Sequence, residues 1–170
     1  MGMDVSVVFC TFDRAALLGA TLDALSRLAL SPHCAVEFVV VNSGATASTS
    51  GVIAKWHAQM RLREVREPVL GLCRARNRGI AESSGELIVF TDDDVIVPPN
   101  WLEDFVAVAK RYQPAFLGGP VEPWFESEPP AWLQEDWPSV QSVYALTTTG
   151  WPTGLIPEPA RVVGANMAFM

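Results

Sequence analysis

The stretch Leu87–Val95 reads LIVFTDDDV. Five residues suited to a buried strand run directly into three consecutive carboxylates, Asp92, Asp93 and Asp94. Like charges this close repel strongly in a partly dry site unless a positive group sits between them. The cluster is therefore either a solvated turn or the holder of a cation, and the sequence around it decides between the two.

Upstream, Val5–Cys10 (VSVVFC) and Val36–Val41 (VEFVVV) read as buried strands, Leu62–Val65 as a third and Glu86–Phe90 as the fourth. A helix is expected over Arg14–Leu28, with Leu17, Leu18, Leu22, Leu25 and Leu28 at helical spacing. The small, polar run NSGATASTSG from Asn42 reads as a loop, with a short helix near Val52–Met60. GLCRARNRGIAESSGE reads as a helix ending at Gly85. PPNWLEDFVAVAKRY opens on prolines and continues as a helix with Trp101, Leu102, Phe105, Val106 and Ala109 on one face. Strands alternating with helices predict βαβ units, hence a mostly parallel α/β sheet with helices on both faces. Ligands of such sheets bind beyond the carboxyl ends of the strands. Thr11–Arg14, Asn42–Gly44 and Asp92–Asp94 all fall there, on one surface.

The 170 residues suffice for one domain with a sizeable core, and hydrophobic residues make up 49%. No segment has the length of a membrane span, and the start lacks a basic region before its apolar run. Gly2 and Ser6 fit the loose myristoylation pattern by chance, because Val5–Cys10 reads as a strand. A net charge of −7 speaks against nucleic-acid binding. Cys10, Cys34 and Cys73 have no metal-like spacing, and read as free thiols of a cytoplasmic protein and as small packing residues. The chain divides compositionally. Six of the twelve Lys and Arg lie between Arg61 and Arg78, whereas nine of the thirteen prolines follow Tyr112. The expected organisation is thus a regular half, residues 1–112, and a loop-rich half, residues 113–170, of the same domain.

Each motif has a plain structural reading beside the functional one. On a strand, Asp92 and Asp94 point together while Asp93 points away, and two hard oxygen donors suit Mg²⁺ or Mn²⁺ shared with a diphosphate. Leu72, Arg76 and Ile80 share a helix face, with Leu72 and Ile80 toward the sheet. Arg76 on that stripe needs an anion, either a carboxylate of the cluster or a ligand phosphate. Arg74 and Arg78 fall on a solvated face. Asp13 sits where it would cap the first helix. The hydroxyl-rich loop after Asn42 is a ligand cradle or a turn. Trp124, Trp132, Trp137 and Trp151 are sugar-stacking surfaces or core residues. No dinucleotide or P-loop glycine motif is present.

Taken in order, VSVVFCTFDRAALLGATLDAL, VEFVVVNSGAT, GLCRARNRGIAESSGELIVFTDDDV and VVGANMAF resemble family 2 glycosyltransferases of the inverting, GT-A-fold type. The resemblance covers nearly the whole chain. It implies a nucleotide-diphosphate sugar donor, a UDP-sugar first among these, a Mn²⁺ or Mg²⁺ cofactor, and a carbohydrate or lipid-linked acceptor. The protein would work in the cytoplasm or at the inner face of the membrane. By matched position, Thr11, Phe12, Asp13 and Arg14 form the first nucleotide-binding loop. Asn42 stands where the family has an Asp contacting base or ribose. Arg76 and Asn77 lie near the nucleotide, as do Asp92 and Asp93. Asp94 is the first metal ligand and Asp92, nearer the ribose, the second. Gly164–Phe169 lines the acceptor and donor-sugar pocket. Asn42 removes a charge relative to the family pattern. The family's acidic general base, which takes the proton of the acceptor hydroxyl, belongs to a downstream motif and is expected beyond Met170. Residues 1–170 hold no counterpart of it, so the expectation is a donor site with an incomplete acceptor half. Two rivals stand beside this reading: a non-catalytic sugar- or partner-binding remnant of the fold, and an aspartyl-nucleophile phosphatase using Asp92.

Overall fold

A computed structural model describes residues 3–44, 46–140, 154–156 and 162–170. Its elements run β1 (Val5–Thr11), α1 (Ala15–Ser26), β2 (Val36–Asn42), α2 (Ala47–His57), β3 (Leu62–Arg66), α3 (Leu72–Glu82), β4 (Leu87–Asp92), α4 (Trp101–Tyr112), β5 (Phe116–Gly118), α5 (Ala131–Glu135), α6 (Trp137–Val140) and β6 (Met167–Phe169). One six-stranded sheet results, in the order β3-β2-β1-β4-β6-β5. The first four strands are parallel, while β6 runs antiparallel to both β4 and β5. Strands from the loop-rich half therefore extend the sheet built by the regular half.

Because side chains alternate along a strand, β1 feeds two cores. Val5, Val7 and Phe9 pack with Leu18, Leu22 and Leu25 of α1, Ile53 of α2, and Trp101, Leu102 and Phe105 of α4. Val8 turns to the opposite face, onto Val39, Val41, Phe90 and Ala75 of α3. The first helix is shorter than the leucine spacing predicts, and Leu17 is exposed. The second begins five residues early, inside the run read as a loop, because Thr46 is tied from outside by Asp13.

The contact face of α3 differs from expectation. Leu72 and Ile80 are exposed, and Ala75 and Gly79 lie against the sheet. A β-carbon on Gly79 would run into Val8 Cγ1, so the helix lies too close for larger residues. That closeness keeps Arg76, the neighbour of Ala75, beside the sheet. The helix ends at Glu82, not at Gly85. Gly85 is required for a different reason: a β-carbon there would lie 2.5 Å from the Ser6 backbone nitrogen.

Candidate functional site

The register aligns three strand ends. Thr11 pairs with Asn42, Asn42 with Arg66, and Cys10 with Asp92. The polar residues that close β1, β2 and β4 thus share one edge, as the alternation of elements predicted. The aspartates do not follow strand alternation past this edge, because β4 stops at Asp92 and the chain turns. Asp92 Oδ1 accepts from Arg76 at 3.1 Å. Asp93 is buried rather than turned away: its Oδ2 accepts from the Thr11 hydroxyl at 2.7 Å and its Oδ1 from Arg14 Nη1 at 2.9 Å. Asp94 Oδ2 accepts from Arg14 Nη2 at 2.6 Å. One guanidinium therefore bridges Asp93 and Asp94, and a second holds Asp92.

Charge balance follows from this arrangement. Burial pushes the Asp93 carboxyl up, the Thr11 bond and Arg14 draw it down, and Asp94 and Asp92 raise it again. Arg14 holds its proton more tightly than usual, chiefly through the bond to Asp94. Cys10, beside the cluster, is pushed up to about 12 by burial, against the pull of Arg76 and with the push of Asp92 and Asp93. Its thiol stays protonated at neutral pH.

Arg76 is walled in. A β-carbon on Gly164 would collide with its Nη2, and its guanidinium carbon sits 6.0 Å from the Phe90 ring centroid. Gly164 in turn is placed by Asn166, two residues on. Asn166 Oδ1 accepts from Trp101 Nε1 at 2.8 Å, and its Nδ2 donates to the Pro120 carbonyl at 2.7 Å. The GANMAF segment thus lies against the same arginine that holds Asp92. Met170 directly follows β6 and is exposed.

The N-cap position of α1 is held by Arg14, one residue after Asp13. Asp13 adopts a left-handed φ of 53°, and its Oδ1 accepts from the amide and the hydroxyl of Thr46, ahead of α2. Gly44 permits this, since a β-carbon there would overlap Asp13 Oδ1. Asn42 is fully buried: its Oδ1 accepts from the Gly44 amide at 3.0 Å and its Nδ2 donates to Glu64 Oε1 at 2.8 Å. Phe12 is exposed at this edge, and Asn77 is exposed on α3. Among the tryptophans, Trp124 and Trp132 are exposed, Trp137 packs edge-on to Phe125, and Trp151 lies outside the described residues. Cys73 is exposed, not a packing residue.

Sequence reasoning missed Glu64 and Arg66. Arg66 donates to the Gly44 carbonyl at 2.8 Å and the Ser50 hydroxyl at 2.7 Å, and pairs with Glu64 at 3.1 Å. The signal was available: Arg66 ends β3 at the same edge.

The donor set suits a hard divalent ion. Among the described residues no group of three or more His, Cys, Asp or Glu gathers to hold a metal alone. Asp92 and Asp94 are part-exposed, and each has one oxygen without a hydrogen-bond partner among those residues. Magnesium and manganese accept such a minimal set when a ligand's phosphates and water complete the shell.

A mostly parallel sheet carrying its polar groups at the carboxyl edge defines a ligand-binding α/β class. The model of the family "Glycosyl transferase family 2" matches residues 6–164, and the chain belongs to that family. Over 113 residues it is 33% identical to the validoxylamine A glucosyltransferase of Streptomyces hygroscopicus subsp. limoneus, a match covering 65% of this chain and 25% of that protein. It is 25% identical over 146 residues to the succinoglycan biosynthesis protein ExoM of Rhizobium meliloti, covering 84% and 47%. In fold it resembles the mannosyltransferase PcManGT of Pyrobaculum calidifontis, solved with GDP-Man and Mn²⁺, at a TM-score of 0.69 and 21% identity, covering 99% of this chain and 45% of that one. It also resembles S. aureus TarS 1–349, solved with UDP-GlcNAc, at 0.65 and 20%, covering 75% and 37%. The fold is therefore GT-A. The chain spans between a quarter and half of the length of these relatives.

Proposed function

We propose that this domain binds a nucleotide-diphosphate sugar, with a UDP-sugar as the first choice, through Mn²⁺ or Mg²⁺ held by Asp94 and Asp92, for inverting transfer to a carbohydrate or lipid-linked acceptor. The observation that carries this reading is the pairing of three aspartates with two arginines at the carboxyl edge of β1 and β4. A solvated turn would need neither arginine.

The residues divide by burial. Thr11, Asn42 and Asp93 are buried and bonded within the protein, so they hold the edge in shape and leave contact with the donor to others. Phe12 offers an exposed ring as a stacking face for the nucleobase. Asp13 fixes Thr46 ahead of α2, and the exposed Asn77 of α3 is available to the nucleotide. Arg76, fixed by Asp92 and Gly164, donates to the diphosphate and stabilises the charge that builds there as the sugar leaves. A bound divalent ion supplies Lewis-acid screening of the same leaving group. The protonated Cys10 thiol does not compete as a nucleophile. Residues 1–170 supply the donor side of the reaction. Free cysteines agree with a cytoplasmic setting, and no helix among the described residues is long and apolar enough to cross a membrane.

Calorimetric titration of the chain with UDP and with GDP, each with and without Mn²⁺, tests this proposal. The expected result is nucleotide binding that requires Mn²⁺ and is lost on adding EDTA. Binding of equal strength in EDTA, or no binding of either nucleotide, overturns it.

A further inference from the structure

The two arginines at the cluster are held very differently. Arg76 is boxed by Gly164, Phe90 and Asp92, and its side chain is 23% exposed. Arg14 is 44% exposed and touches the cluster only at its tip, through Nη1 to Asp93 and Nη2 to Asp94. Its backbone is the half-turn that enters α1, where no acidic residue occupies the first turn. A cation at a helix N-terminus meets the positive end of the dipole. What holds Arg14 there is the carboxylates, and of these Asp94 is the exposed one.

Arg14 occupies the charge that a metal ion at Asp94 would require. A guanidinium 2.6 Å from Asp94 Oδ2 and a doubly charged ion on the same carboxylate repel each other. A diphosphate resolves the conflict, because its oxygens offer the planar guanidinium a bidentate, multiply charged partner. We propose, on the basis of the donor-binding reading above, that Arg14 is the exchangeable counter-ion of the cluster. In the metal-free protein it bridges Asp93 and Asp94 and offsets part of their charge. When a nucleoside diphosphate arrives it releases Asp94 and pairs with the phosphates. Metal and nucleotide binding are thereby coupled through one side chain, and the acidic site does not collect divalent ions in the absence of donor.

This device separates the two ligands in a way that binding measurements read directly. The probe is Mn²⁺, followed by the loss of its free-ion paramagnetic resonance signal beyond that caused by the nucleotide alone in a protein-free control, with UDP or GDP added or withheld. The wild-type chain binds Mn²⁺ weakly alone and about tenfold or more tightly with nucleotide, the size of an ordinary coupling between sites. In Arg14→Ala, Mn²⁺ alone binds more tightly than to wild type, by about tenfold, because its competitor is gone. Nucleotide binding in the presence of Mn²⁺ moves the opposite way and weakens. Arg14→Gln, which keeps hydrogen-bond donors for Asp93 without the charge, guards against a folding defect and gives the same two directions. Mn²⁺ affinity unchanged or lower in both variants, with wild-type binding intact, overturns the counter-ion role alone. Absence of Mn²⁺ binding in all three proteins with nucleotide present overturns the donor-binding reading beneath it.

Discussion

Glu37 and the aspartate trio are carboxylates at opposite ends of one sheet. Glu37 sits at the entry of β2, where Oε1 accepts from the Ser6 hydroxyl at 2.6 Å and from the Ser84 amide and hydroxyl, each at 2.7 Å. Ser6 Oγ itself accepts from the Gly85 amide at 2.8 Å. Arg63 stands further off, 3.7 Å from Oε2. These partners are short side chains and backbone, fixed by the strands that carry them. At the other end, Asp92 and Asp94 are held by long guanidinium arms and keep an oxygen open. The exposed Arg14–Asp94 pair contributes only about 0–1 kcal/mol. A carboxylate closed by rigid neutral donors serves the fold, and one held by a half-exposed arginine is available for exchange.

The closed end breaks first under a single methyl group. In Gly85→Ala the new β-carbon has no room, at 2.5 Å from the Ser6 nitrogen and 2.7 Å from the Val5 carbonyl carbon. Both are backbone atoms of the central strand, so the loss is placed at the upper end of overpacking costs, about 3 kcal/mol. Urea unfolding measures it, while Mn²⁺-dependent nucleotide binding at the other end stays intact in the folded fraction. The open end behaves in the converse way. Asp94→Ala lowers Mn²⁺-dependent nucleotide affinity by roughly 100-fold or more, since even outer-shell changes at metal sites cost about 10–100-fold. The urea midpoint moves little, because Asp94 is exposed and unpacked. A variant that moved both readouts together would show the two ends to be one unit.

The sequence made the closed end hard to see. Alternating strands and helices located the carboxyl edge correctly, because β1, β2 and β4 are mostly apolar runs of strand length. It also marked Asp92–Asp94 and Arg76 for attention. It could not reveal that Arg14 bridges two of the aspartates, since that contact spans about 80 residues of chain and depends on the turn after Asp92. The face of α3 was misread for a related reason. Leucine and isoleucine spacing outweighed Ala75 and Gly79, yet the small residues win where a helix must lie close to a sheet. β5 and β6, three residues each, carry too little periodicity to be recognised without their partner strand. Ser6, Glu37 and Ser84 form their nest across three separate segments, and none of them stands out alone.

Acid unfolding sharpens the comparison with a smaller effect. Burial alone would raise Glu37, but the bonds from Ser6 and Ser84 and the charge of Arg63 outweigh it and hold the carboxyl below its ordinary value of 4.5. A carboxyl depressed in the folded state stabilises fully above its unfolded value and loses that contribution as pH falls through the folded one. Stability of the wild-type chain therefore declines below about pH 4.5 in part through Glu37. Glu37→Gln costs about 1–2 kcal/mol at pH 7 through weakened hydrogen bonds to Ser6 and Ser84. It also flattens that part of the acid limb, as pH-dependent urea midpoints will show. A limb of unchanged slope would mean that the nest contributes no pH dependence.

The thiols report how far the open end is open, with no change in stability. Cys10 lies on β1 opposite Asp92, one step inside the edge, and burial raises it to about 12. Cys73 is exposed at the start of α3, and Cys34 donates its S–H to the Met3 carbonyl at 2.6 Å. Thiolate is the reactive form, so a disulfide reagent at pH 8 modifies Cys73 quickly and Cys10 only when the protein opens. One fast equivalent is expected in native buffer and three in denaturant. Two fast equivalents that include Cys10, identified by peptide mapping, would mean that water reaches past the carboxylates into β1. In that case Asp93 would be solvated too, and its bridge to Arg14 would lose the buried anchor that distinguishes it from the bond to Asp94.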